Sequence, residues 1–200
     1  MYIDAGIGKT YLLVDSHSLV SRMTRSATAT RILDLAEKMA RSGGYNSFSF
    51  REIAGGIGVK SASVHYHFPT KEVLGAAIAE RYTDRFMQAL GPPGGDAPEV
   101  MLKRYVAAYR SALETDGLMC LCGIFGAEIA NLPEPVAEKT RQFFERNMDW
   151  LSAVYRAQGL SRDQCHIRAA LIIATLEGAM ILARSLGDLS LFEKITSHLE

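Results

Sequence analysis

From Thr28 to Ser42 the apolar residues Ile32, Leu35, Ala36 and Met39 recur at helical spacing, and Gly43-Gly44 supplies a left-handed stop, which predicts a first helix. Ser49-Phe50-Arg51-Glu52 has the form of a capping box, with the serine accepting from the N3 amide and the glutamate reaching back to the serine amide. A second helix follows, with Ile53, Ala54 and Ile57 facing inward. Gly58-Val59-Lys60 reads as a tight connection, and Ser61 to His67 as a short third helix that stops before Phe68-Pro69. Thr70 is placed to cap a fourth helix running towards Leu90.

The run Gly91-Pro92-Pro93-Gly94-Gly95-Asp96 is the strongest breaker in the chain and marks a boundary between head and body. Beyond it the periodicity predicts helices over Pro98 to Thr115, Met119 to Ala130, Pro135 to Gln158, Ser161 to Leu186 and Ser190 to His198, with no competing strand pattern. Ser161 to Gln164 and Ser190 to Glu193 read as further capping boxes. The expected fold is all-α: an N-terminal three-helix helix-turn-helix head and a larger helical body. The divisions are an N-terminal extension over 1–22, the head with its connecting helix over 23–90, and the body over 91–200.

Charge changes the picture locally rather than globally, because Lys plus Arg balance Asp plus Glu over the 200 residues. From Thr24 to Lys71, however, Arg25, Arg31, Lys38, Arg41, Arg51, Lys60 and Lys71 outnumber Asp34, Glu37 and Glu52, while the segment after Leu90 is net acidic. A basic head on an acidic body suits a partner that is a polyanion held at one end. The odd cysteine count, without framework spacing, argues against a disulfide scaffold and for a reducing, cytoplasmic setting. No stretch is expected to span a membrane, and Met1 to Arg22 lacks the form of a signal peptide. Met23 is a candidate natural start. Gly6-Ile7-Gly8-Lys9-Thr10 looks like the end of a phosphate-binding loop, but the required first glycine falls on Ile3.

Two short helices joined by a glycine-containing turn, the second polar and too short to stand alone, form a helix-turn-helix pattern. The first helix of such a pair braces on the DNA backbone while the second enters the major groove. Chemistry then assigns roles: Arg51 can fork onto a guanine edge, the small Ser61, Ala62 and Ser63 allow close approach to the bases, and Lys71 offers a point charge to a phosphate. His65 and His67, two apart on a helix, point to nearly opposite faces and cannot chelate one ion, so no metal is expected there. No cofactor is expected either.

The residues from Phe50-Arg51-Glu52-Ile53-Ala54 through Gly58-Val59-Lys60-Ser61-Ala62-Ser63-Val64-His65-Tyr66-His67-Phe68-Pro69-Thr70-Lys71-Glu72-Val73-Leu74 closely resemble the TetR/AcrR repressor family. The resemblance is specific over the first four helices and rests beyond them on helix order and length. It implies a phosphate-contacting cap at Ser49, a base-contacting position at Arg51, and a recognition-helix start at Lys60, Ser61, Ala62 and Ser63. His65 stands where the family's usual tyrosine makes a backbone contact. Tyr66 falls on a base or sugar contact, His67 on a phosphate contact, and Lys71 on the phosphate-gripping lysine. It also implies a homodimer, a double-stranded DNA operator, and a small-molecule effector whose binding relieves repression.

In the body, Phe143, Phe144, Asn147, Trp150, Leu151 and Val154 form a broad stripe that fits either a core or the lining of an effector pocket. Tyr105, Tyr109 and Glu177 are further polar candidates. The last two helices, with small Gly178, Ala179 and Ala183, fit either an interior or, with the resemblance, the two-fold interface. Cys120-Leu121-Cys122 opens the second body helix, where unsatisfied amides would give a thiol thiolate character. A redox or electrophile sensor at Cys120 or Cys122 is therefore an alternative to a reversibly bound effector, the other reading being a small buried residue. An enzyme is disfavoured, because adjacent Cys165 and His166 diverge on a helix and no nucleophile, base and oxyanion set is recognisable. A helical adaptor that binds protein is the remaining rival.

Overall fold

The computed structural model describes residues 16–197 and residue 199. Most of the 1–22 extension, including the phosphate-loop-like run, and the end of the last expected helix at His198 lie outside the described residues. Among the described residues every regular element is helical: α1 Ser16–Gly43, α2 Phe50–Ile57, α3 Ser61–His67, α4 Lys71–Leu90, α5 Pro98–Asp116, α6 Leu121–Ala127, α7 Glu134–Ala157, α8 Arg162–Leu186 and α9 Ser190–Thr196, with single 3-10 turns at Tyr45–Ser47 and Ile129–Asn131.

Four local differences from the sequence reading have physical causes. Helix α1 begins well before Thr28, because no Gly or Pro interrupts residues 16–42 even though apolar periodicity starts only at Ile32. At α2 the serine half of the capping box forms, Glu52 N–H donating to Ser49 Oγ at 3.3 Å, but the Glu52 carboxylate accepts the Ser49 hydroxyl instead of the serine amide. At α9 the expected box is replaced by Asp188, which accepts from both the N–H and the hydroxyl of Ser190 and so occupies the serine before it can cap. Only at α8 are both halves of the box made, by Ser161 and Gln164. The fourth difference is that α8 does have the length and composition of a membrane span, contrary to expectation. Its apolar residues serve two faces: Ile172, Leu176, Met180 and Ala183 are buried in the chain, whereas Ile167, Leu171, Ile181 and Leu186 are exposed.

The head is α1 to α3, with Ile32, Ala36, Phe50, Ile53, Val64 and Phe68 in one continuous core. Gly58 closes α2 in the left-handed region at φ 70°, and Val59 N–H returns to Ala54 O at 2.9 Å, a turn that only glycine enters without strain. Helix α4 connects head to body. It packs mainly on α7, and α7 in turn on α8. Ion pairs Lys139–Glu80 and Arg146–Asp84 border the α4–α7 seam, and on the other side Arg81 and Arg85 of α4 hold the buried Glu37 of α1. The ion pairs on Glu37 tie the connector to the head.

Candidate nucleic-acid interface and interior site

Helix α3 commits Val64 to the core and presents the rest of its surface outward: Lys60, Ser61, Ala62, His65 and Tyr66 are exposed, and Ser63 and His67 half-buried. Tyr66 is 65% exposed, a large aromatic ring left in solvent. His65 rests edge-on against Phe50 with centroids 4.6 Å apart, so α2 fixes its imidazole. His67 instead meets Tyr66 at 5.3 Å, consistent with the two imidazoles serving different faces. Arg51 is exposed one residue into α2, and Ser49 sits half-buried at its cap.

Lys71 opens α4 immediately after this face. Its ammonium lies over the rings of Tyr45 and Phe48, at 4.5 and 4.8 Å from their centroids. Partial burial lowers its pKa below the usual lysine value, while Glu52 and Glu128 act in the opposite direction. The aromatic faces hold the charge at a defined place beside α3 without neutralising it.

In the body, α5, α7, α8 and the start of α6 bring Tyr105, Tyr109, Cys120, Asn147, Trp150 and Glu177 into one interior region. Tyr105 OH donates to Asn147 Oδ1 at 2.8 Å, and Asn147 Nδ2 donates to Phe143 O at 2.7 Å. Trp150 stacks on Tyr105 at 5.7 Å and donates its Nε1–H to Gly91 O, anchoring the breaker between head and body. Tyr109 OH donates to Glu177 Oε1 at 3.2 Å. Phe144 stands apart, half-buried against Gly126 of α6. The polar groups expected to await a ligand thus mostly satisfy one another.

Glu177 is the exception. Its Oε2 is shielded from solvent without a hydrogen-bond partner, pressed over Gly123 where an added Cβ would lie 2.1 Å away. Burial raises the Glu177 carboxyl to about 6. Because the folded value exceeds the ordinary one near 4.5, the folded chain binds the proton more tightly, and this group's contribution to stability falls as pH rises from about 4.5 through about 6. Glu177→Gln, which keeps an acceptor for Tyr109, should stabilise the protein by up to about 2 kcal/mol above pH 7 and by little near pH 4. Denaturant unfolding across that range checks this; a gain independent of pH would refute it.

Cys120 corrects the expectation of thiolate character. It does cap α6, its Sγ accepting from Gly123 N–H at 3.3 Å, but it is buried, and burial together with the nearby Glu177 carboxylate drives the thiol well above its ordinary pKa. One helix-end amide is outweighed by desolvation and a like charge. Cys122 and Cys165 are buried thiols as well.

Two aromatic residues that sequence periodicity did not single out complete the region. Tyr82 and Phe86 of α4 pack on Phe143, and Phe86 also meets Tyr105 and Tyr109 edge-on. Their outer sides line a groove of about 370 Å³, shared with Arg41, Arg85, Ala108 and Ala112. The same two side chains therefore separate an open groove from the interior polar cluster.

The family of bacterial regulatory proteins, tetR family, matches residues 32–78, and the transcriptional regulator LmrA/YxaF-like C-terminal domain matches residues 98–198. The chain belongs to the TetR family of transcriptional regulators. A TetR transcriptional regulator from Legionella pneumophila is 32% identical and superposes with a TM-score of 0.79 over 84% of this chain and 93% of its own. A TetR-family regulator from Agrobacterium tumefaciens is 30% identical, with a TM-score of 0.75 over 87% and 96%. The HTH-type transcriptional repressor DhaR of Mycobacterium sp. (strain GP1) is 21% identical over 168 residues, covering 80% of this chain and 83% of that protein. The TetR helix-turn-helix is α2 and α3, and the TetR-type body is α5 to α9.

Alanines 179 and 183, read from sequence as residues of a two-fold surface, are buried inside the chain, because they lie on the core side of α8. Gly178 lies on the other side, with open space where its Cβ would be. The small residues of α8 are thus divided between its core side and its open side.

Proposed function

We propose that this TetR-family chain is a homodimeric transcriptional repressor that occupies a double-stranded operator and leaves it when a small molecule binds in the body. The observation that carries the reading is the outward face of α3, where a single buried anchor, Val64, leaves the remaining residues for a groove, flanked by Arg51 and Lys71. The proposed contacts are bases at Arg51, Lys60, Ser61, Ala62 and Ser63, sugar or base at Tyr66, and phosphates at Ser49, His65, His67 and Lys71. The exposed apolar stripe of α8, Ile167, Leu171, Ile181 and Leu186, supports pairing of two copies.

The effector enters, in this reading, at the groove over Tyr82 and Phe86 and exchanges its own polar groups for the bonds joining Tyr105, Asn147, Tyr109 and Glu177. Phe144, next to α6, lies at the edge of that region. Reversible binding is preferred to cysteine chemistry because the Cys120 thiol is shielded and held protonated. The effector acts through its differential affinity for the two head positions, so operator DNA and effector weaken each other equally. Trp150, the one tryptophan, reports on the site. An effector that lifts the protein from DNA should change its fluorescence, and Asn147→Leu should alter effector affinity more than DNA affinity. An authentic effector that leaves both unchanged would place the pocket elsewhere.

A further inference from the structure

The carboxylate of Glu128 belongs to the body, as the C-cap of α6, yet its contact is with the head. Tyr45 N–H donates to Glu128 Oε2 at 2.8 Å, across 83 positions of sequence. The approach is close enough to require a glycine before the tyrosine. Gly44 lies at φ 83°, and an added Cβ there would sit 2.0 Å from Glu128 Oε1. Tyr45 itself is buried, packed edge-on against Phe48 at 5.7 Å and against Phe125 of α6 at 6.1 Å. Lys71 Nζ rests over the Tyr45 and Phe48 rings.

We propose that Glu128 is a positioning residue for DNA binding: by holding the Tyr45 backbone it fixes the aromatic seat from which Lys71 reaches a phosphate. The proposal rests on the DNA-binding reading of Lys71 given above. It assigns a specific link between the body and the DNA-facing charge, because the helix that ends in Glu128 starts at Cys120, beside Glu177 in the interior cluster. Shifting the carboxylate by the length of one hydrogen bond releases Tyr45 N–H and with it the seat of the ammonium. Arg41 and Arg184 reinforce the same junction. Arg41 Nε donates to Met119 O at 2.8 Å, and Arg184 donates to the Arg41 and Ser42 carbonyls that end α1. These contacts fix the end of α1, whereas Glu128 holds the backbone N–H of the tyrosine that carries Lys71.

The test uses the full-length protein and a duplex recovered by the parent protein from a random-sequence pool. Glu128→Ala should weaken binding about ten-fold and flatten the salt dependence by about two, one phosphate contact for each subunit of a dimer. Glu128→Gln, which retains a carbonyl acceptor for Tyr45 N–H, should restore most of both. In a Lys71→Ala background Glu128→Ala should leave the salt slope where Lys71→Ala has already put it, since both changes remove one contact. If Glu128→Ala proves unfolded by circular dichroism, Glu128→Asp, shorter by one methylene, takes its place with the same expected loss. An unchanged salt slope, equal effects with and without Lys71, or a Gln variant as weak as Ala overturns the proposal. A parent protein that enriches no sequence is seen before any variant is made, and it overturns the DNA-binding reading together with this proposal.

Discussion

Leu171→Glu is expected to yield a folded monomer whose affinity for its operator is at least about a hundred-fold below the parent's, because two weak half-site contacts then lose their shared linkage. Leu171 is 58% exposed in a stripe with Ile167, Ile181 and Leu186, on a helix whose opposite side is fully used by the core. A charge placed there meets water in the monomer and costs little folding free energy, but in a dimer it is buried opposite its own copy. Gly178, on the open side, should tolerate folding with a bulky charged replacement in the same way. Ala183 is the contrast: fully buried, it should unfold the chain when so replaced rather than split it. Sedimentation, circular dichroism and DNA binding on the three variants separate these outcomes. A parent that sediments as a monomer, or Leu171→Glu that remains a dimer with full affinity, would contradict the assignment of this face.

Arg51→Ala and Lys71→Ala should both weaken DNA binding, but in ways that differ. A guanidinium that forks onto a guanine edge discriminates among bases, so its loss should cost about 1 to 3 kcal/mol per half-site on the best sequence and almost nothing on a poor one. The ammonium of Lys71, seated on Tyr45 and Phe48, is the proposed phosphate contact, so its loss should weaken all sequences alike and flatten the salt slope. Binding isotherms on matched and mismatched duplexes at several salt concentrations distinguish the two. If both variants bound as the parent does at moderate salt, α2 and the start of α4 would not be at the DNA.

The head was legible in the sequence because its signals are local. The cap at Ser49, the turn at Gly58 and the stop at Phe68-Pro69 each act within a few residues, and the elements they bound lie where the periodicity puts them. The same locality misled at α9, where a serine and a glutamate at capping-box spacing lost to an aspartate two residues upstream. Burial of Cys120 was legible only as one of two readings, since the helix-end amide is a neighbour in sequence whereas the desolvating walls and Glu177 come from distant segments. The interior cluster was half legible. Tyr105, Asn147 and Trp150 stand out by type on helical faces, but their mutual hydrogen bonds, and the partition made by Tyr82 and Phe86, depend on the packing of α4 and α5 against α7. Glu128 carried no sequence signal beyond being a carboxylate. Its significance comes from the glycine on which it closes, 84 positions earlier.

The central claim, that two copies of this chain present their α3 helices to successive major grooves, is tested most directly by footprinting the parent protein on the duplex it selects. Stoichiometry on that duplex should be measured alongside. The account predicts two protomers per site, two protected half-sites centred about 10 base pairs or a small multiple of one helical turn apart, and affinity that falls steeply with salt. Selection of no sequence, or a single half-site protected by one protomer with affinity indifferent to salt, would contradict it.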